Sequence, residues 1–290
     1  MVETRNHANA VEAGVRPQDD LFRSVNREWL EVTDIPEDRS QEGSFTALRD
    51  ASELAVRSII ESADPSDSEG DSEGDSAKIG TLYADFLDTA RIAEQGLAPL
   101  EDMLARIDDV ASPEELIRLS AEFTRSGIQG VCAPYVSNDA GNPDRYLLHV
   151  YQSGLGMPDE SYYRKPQFAE TRGKYSSLLE RLFELAGHAG PRKAAARVLE
   201  LETLLATSHM STVDRRDPQK TYNLSTLEDA AGLAPFTAPW LAVIIDDASQ
   251  ATELVVSQPD YLVGVEGALS TVPLPAWQDW LVSRVLLSAA

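Results

Sequence analysis

Four histidines, one cysteine and a glycine pair ahead of Met-Pro-Asp are the residues of this chain with most chemistry to offer. His7, His149, His188 and His209 are dispersed, and none opens a His-Glu-x-x-His run that would set two imidazoles on one helical face. His149 alternates within a strand pattern and reads as an ordinary sheet residue. His209 ends a helical run, where a basic group suits the helix dipole. Cys132, within "GVCAPYV", reads as a buried small hydrophobe, and a single cysteine excludes an intramolecular disulfide. No Walker loop occurs, and no serine has a triad that spacing can identify. "GLG" at 154–156 lacks the third glycine of a dinucleotide loop, and Pro158 forces its predecessor into extended geometry. The stretch "GLGMPDESYY" therefore reads as a turn. Gly154 and Gly156 supply backbone freedom, Asp159 or Ser161 caps the next segment, and Tyr162 and Tyr163 pack on neighbouring helices. No catalytic residue and no metal ligand is assigned.

The elements that would position these residues are mainly helical. Residues 1–16 are polar and loose. The spacing of Phe45, Leu48, Ala51, Leu54 and Ile59 predicts a helix ending near Ser62. An acidic stretch over about 61–77 repeats Ser-Glu-Gly-Asp in tandem and reads as a disordered loop. Calcium binding is the sharper alternative there, although the spacing is not that of an EF-hand. Helical patterns resume at Lys78. In "SPEEL", Ser112 caps, Pro113 opens the helix and Glu115 completes a capping box, with Gly127 as the terminator.

Two β-type runs around "SNDAGNPD" predict a hairpin over about 131–152. Helices come next at roughly 167–187, 192–210 and 226–233, and "ELVVSQ" is a candidate strand. The last segment, "PAWQDWLVSRVLLSAA", has the pattern of a helix cut off while still apolar, and it predicts an exposed sticky face unless more chain follows.

Composition bounds the partners. The net charge of −23 repels nucleic acid and anionic membranes. No stretch approaches the ~20 apolar residues of a membrane span, and the N-terminus carries no secretion signal. The expected compartment is the cytoplasm.

Taken in order, several stretches resemble the N-terminal part of the neprilysin-like zinc metalloendopeptidases. These are "DDLFRSVNREWLEVTDIPED", "GSFTALRD", "KIGTLYADFLDTARIAEQGLAPL", "YQSGLGMPDESYY" and "LELETLLATSHMSTVDRRDPQKTYN". The resemblance implies a mainly α, multi-helical lobe over 17–290, truncated at 290 and incomplete without a C-terminal catalytic domain. It also implies zinc in a full-length parent, with oligopeptides as substrate. Trp29 would be a packing anchor, Asn26 and Asn223 capping residues, and Arg216 and Asp217 a turn ion pair.

Neither His-Glu-x-x-His nor a Glu-x-x-x-Asp helix occurs here, so the chain alone is expected to bind no zinc and to be inactive. At the start of the helix bearing Arg49 the resemblance implies contact with the carboxylate end of a bound substrate. Arg49 is one of two matching positions, and the other is Gln41, which cannot form an ion pair. A surface or inter-helix salt bridge is the plain alternative for Arg49. A free-standing helical peptide-binding or interaction module is the alternative for the whole chain.

Overall fold

A computed structural model describes residues 15–64, 75–246 and 251–289. The chain divides into two compact units, Met1–Glu94 and Gln95–Ala290. The first holds α1 (Leu21–Val25), α2 (Arg27–Val32), α3 (Ser44–Ser62), α4 (Asp75–Leu87) and most of α5 (Thr89–Gln95). Asp20 caps α1 through the Arg23 amide at 2.9 Å, and the Asn26 side-chain amide donates to Phe22 O at its end. The expected capping role of Asn26 holds, whereas Trp29 is 39% exposed and anchors no core. Most of the acidic stretch at 61–77, like residues 1–14 of the N-terminal stretch expected to be loose, lies outside the described residues. Its flanks depart from the expected loop: residues 61–62 complete α3 and 75–77 already belong to α4.

The second unit begins with α6 (Glu101–Asp108) and α7 (Pro113–Arg125). Ser112 caps α7 by accepting from the Glu115 amide at 3.2 Å, but Glu115 reaches back to the Ala111 amide rather than that of Ser112. The box is displaced by one residue. Gly127 ends the helix with φ +90°, a conformation that suits glycine.

The hairpin is formed by β1 (Cys132–Asp139) and β2 (Asn142–Gln152), paired antiparallel with Val136 opposite Leu148. After α8 (Glu160–Arg164), α9 (Ala169–Leu185), α10 (Pro191–Ser208) and α11 (Pro218–Thr221) come β3 (Leu224–Thr226), α12 (Leu227–Leu233), α13 (Thr237–Ile244) and β4 (Glu253–Val256). The expected hairpin is thus half of a mixed sheet of order β1-β2-β4-β3, with β4 parallel to β2 and antiparallel to β3. The chain closes with α14 (Pro259–Thr271) and α15 (Leu274–Ala289).

The core of this unit gathers around α10. Its Ala194, Ala195, Val198, Leu201, Leu205 and Ala206 are all buried. The small residues let neighbouring helices approach closely. α15 overturns the expectation of a sticky end. Trp277, Trp280, Leu281, Val285 and Leu286 are buried in the unit's own core, and Leu287 is the large apolar residue left 40% exposed. A helix apolar on most sides is one buried on most sides.

The "GLGMPDESYY" stretch ties these helices together. Where β2 leaves the sheet, Gly154 turns with φ +85°, and the Trp280 indole donates to its carbonyl at 3.0 Å. The Tyr261 hydroxyl lies 2.8 Å from the carbonyls of Val131 and Ser153. The amides of Gly156 and Met157 donate to the Tyr163 hydroxyl, which donates to Glu202 Oε2 at 2.7 Å. The other Glu202 oxygen accepts from Tyr175 at 3.0 Å and from Arg284 Nη2 at 2.6 Å. Asp159 caps α8 through the Ser161 amide, and Tyr162 stacks on Phe168 at 4.1 Å.

A methyl group at Gly156 would lie 1.9 Å from the Tyr175 hydroxyl and 2.9 Å from Arg284 Nη2. Gly156→Ala is therefore expected to destabilise the unit by ~1–3 kcal/mol, read as a lower urea midpoint at unchanged slope. Gly173→Ala, in α9 with open space around it, should instead stabilise by roughly 0.5–1 kcal/mol. Equal midpoints for the two variants would refute the packing account. Glu202→Gln leaves the Arg284 charge buried without its partner and is expected to cost ~3–5 kcal/mol in the same measurement.

Candidate functional site

Of the residues singled out from the sequence, Arg49 and His209 both border open grooves. Arg49, Val56, Arg57 and Ile60 of α3 and Tyr83 and Phe86 of α4 line a groove of about 650 Å³ with an apolar floor. The site is built on an exposed helix: among the described residues of the first unit only Gly80 is buried. Arg57 is committed to Glu61 at 2.8 Å. Arg49 is 58% exposed, and its nearest acids, Asp50 and Glu53, stand 3.6 Å away, longer than a hydrogen bond.

The strong pairing in this neighbourhood belongs to Arg39. It holds Asp50 with two parallel hydrogen bonds of 2.8 and 3.1 Å and reaches Glu42 at 3.2 Å. The Arg39 hydrogen bonds hold the Asp50 carboxyl below its usual range. Gln41 is exposed. Chemically, the arrangement leaves one guanidinium with unfilled donors beside an apolar groove, which suits a carboxylate attached to an apolar group.

The three described histidines do not converge. His7 lies outside the described residues. His149 stacks on Tyr135 at 4.9 Å within the sheet, and His188 sits 3.3 Å from Asp279 while accepting from the Gly190 amide. His209 corrects the expectation of a charged helix end. Its Nε2 meets Ser153 O at 3.0 Å and its ring packs edge-on against Tyr261. Burial, with Arg215 and Arg164 nearby, pushes its pKa down to about 4, so it is neutral at neutral pH. Cys132 is buried and its thiol pushed well up, which removes it as a nucleophile.

The Glu202 cluster has the perturbed ionisation often found at reactive sites. Burial raises the Glu202 carboxyl against the opposing pull of Arg284, Tyr163 and Tyr175. It is nonetheless sealed: Glu202 and Arg284 are 0% and 2% exposed, so no substrate atom reaches them. A second polar cluster, at Asp139, is also a clasp. The Tyr222 hydroxyl at 2.6 Å, the Gly141 amide and Arg145 hold its carboxyl down at about 2 and tie the hairpin corner to the turn after α11. In that turn Asn223 donates to Lys220 O and Val256 O, as a capping residue should. Asp217, expected to pair with Arg216, instead caps α11 through the Gln219 amide.

Sequence reasoning missed Arg39, Glu202, Arg284 and Asp139, whose partners lie 11, 82, 82 and 83 positions away. No local spacing marks such pairs. Among the described residues no group of three His, Cys, Asp or Glu side chains is placed to hold a metal.

Against known proteins, residues 17–290 match the sequence model of peptidase family M13. The chain is 25% identical over 285 residues to endothelin-converting enzyme 1 of Cavia porcellus, covering 92% of this chain and 37% of that protein. To endothelin-converting enzyme-like 1 of Rattus norvegicus it is 26% identical over 300 residues, covering 96% and 38%. It superposes on the zinc metalloprotease Zmp1 of Mycobacterium tuberculosis, solved in complex with an inhibitor, with a TM-score of 0.82 and 38% identity. That match covers 96% of this chain and 43% of that one. The chain thus spans well under half the length of the proteins it matches. With its mainly helical fold and its ordered run of sequence stretches, it belongs to peptidase family M13, a family of zinc metalloproteases, and comprises the N-terminal part.

Proposed function

We propose that this chain is the non-catalytic, substrate-selecting part of a zinc metalloendopeptidase that hydrolyses oligopeptides, with zinc and the catalytic groups supplied by further chain. The observation that carries the reading is the match of residues 17–290 to the N-terminal part of the family in a sequence without a zinc-binding motif. The chain's coverage of 37–38% of its curated relatives is consistent with it.

The first unit adds support. Phe45 is 89% exposed, and Val32, Phe86 and Leu82 are bare as well. Apolar surface on this scale marks an interface. In this reading the catalytic part covers some of it and leaves Arg49 on the substrate cavity, where its guanidinium binds the carboxy-terminal carboxylate of a peptide. The net charge of −23 fits a protein that engages neither nucleic acid nor an anionic membrane. No helix among the described residues is long and apolar enough to cross a membrane. We assign the cytoplasm as its compartment.

The burial of α15 favours a second reading. The second unit closes over its own last helix, so a free-standing peptide-binding module needs no further chain to cover that face. The two readings separate on catalysis by a longer M13 protein that contains these residues.

Purified 1–290 is expected to carry under about 0.1 zinc per chain by elemental analysis and to leave fluorogenic oligopeptides uncut. Stoichiometric zinc with turnover would overturn the non-catalytic reading. Acetyl-Phe-Leu with a free carboxylate should bind more tightly than its amide. Arg49→Ala should weaken the acid by about five- to tenfold and leave the amide unchanged, the loss expected for one charged hydrogen-bonding partner. Equal affinities of acid and amide for the unsubstituted chain would remove Arg49 from substrate recognition.

A further inference from the structure

The geometry points to Arg39 as a positioning residue that keeps Arg49 available to a ligand by occupying Asp50. This inference rests on the reading of Arg49 as a carboxylate-binding residue and explains how that residue escapes its own neighbours.

Arg49 is followed directly by an aspartate, and Asp50 Oδ1 stands 3.6 Å from Arg49 Nη2. Guanidinium and carboxylate groups pair best through two parallel N–H···O bonds, which satisfy both planar groups at once. The structure shows that bidentate pairing made by a different arginine. Arg39 Nη1 donates to Asp50 Oδ2 at 2.8 Å and Nη2 to Oδ1 at 3.1 Å, so both carboxylate oxygens are already engaged by Arg39.

Arg39 is itself fixed for this task. It lies in the segment between α2 and α3, its side chain is 28% exposed, and Glu42 accepts a further hydrogen bond from it at 3.2 Å. Glu42 in turn accepts from the Gly43 amide at 3.0 Å, which anchors the same segment to the start of α3. The remaining acid near Arg49 is Glu53, one helical turn on. It is 70% exposed and 3.6 Å distant, a solvated pair that an incoming carboxylate can displace.

Three acids and two arginines thus divide unequally. Arg39 takes Asp50 and Glu42, while Arg49 is left with loose contacts and an open groove beside it. Without Arg39, Asp50 would turn its free oxygens to the adjacent guanidinium and compete with a ligand's carboxylate for the same donors. Gln41, between Arg39 and Glu42 in sequence, offers no charge of its own, so the sorting of acids falls to Arg39.

The test uses 15N-labelled chain 1–290 titrated with acetyl-Phe-Leu and followed through the side-chain Nε–Hε signal of Arg49. Arg39→Ala is expected to raise the dissociation constant about threefold or more and to slow solvent exchange of the Arg49 Hε before any ligand is added. The double variant Arg39→Ala/Asp50→Asn should return both readouts to within about twofold of the unsubstituted chain. A general loss of structure would not be rescued by removing a second charge, so the rescue separates positioning from folding.

Unchanged affinity in Arg39→Ala, with Arg49→Ala still weakening the acid, would overturn this inference alone. Weakening that the double variant fails to rescue would also overturn it. An Arg49→Ala variant that binds the acid as well as the unsubstituted chain would overturn the underlying reading of Arg49 instead.

Discussion

One buried carboxylate organises the second unit. Glu202, in the middle of α10, accepts from Arg284 of α15, Tyr175 of α9 and Tyr163 of α8, and the Tyr163 hydroxyl in turn accepts from the Gly156 and Met157 amides. Helices α8, α9, α10 and α15 and the exit of the hairpin therefore meet at a single side chain. Burying an ion pair is unfavourable unless nearly every lone pair and proton is satisfied. Here the two tyrosines supply the bonds that Arg284 does not, and the cluster selects one arrangement of helices over its neighbours. The glycine at 156 answers to the same constraint, since the backbone there passes closer to Tyr175 and Arg284 than any side chain allows.

The first unit is governed by the opposite physics. Apart from the half-buried pairs of Arg39, its ion pairs are exposed, and the apolar side chains among its described residues lack a core of their own. Exposed pairs contribute little to stability, because water already solvates both partners. They can still decide which charges are free. On α3 that choice is made by a short-range competition among Arg39, Arg49, Asp50 and Glu53, and a groove with an apolar floor lies next to the outcome. In the proposed reading, stability and recognition reside in different units of the chain.

How much of the fold is legible in the sequence depends on how local each cause is. The hairpin and the helix caps at Ser112 and Asp159 are readable because their partners lie within a few residues or across one short turn. The pairing of β2 with β4 is not, since more than a hundred residues separate Val150 from Val256 and no local pattern encodes a parallel register. His209 misleads for a related reason. Its position at a helix end is local and readable, but its charge state depends on burial against Tyr261. α15 reads as an exposed end because an all-round apolar helix carries no mark of which neighbours cover it.

The candidate site divides in the same way. Arg49 can be singled out because a run of residues at the start of its helix resembles a known family, but its proposed availability rests on the pairing of Arg39, ten positions upstream, with Asp50. The "GLGMPDESYY" stretch shows the converse. It is elaborate enough for a ligand, yet its glycines and tyrosines are accounted for by a turn that must deliver two amides to a phenol and a phenol to a carboxylate. Such a stretch owes its composition to the geometry of the turn. Where the described residues hold no donor set for a metal, an ordered set of motifs can mark a scaffold, and the recognising chemistry is sought where a charge is only loosely paired.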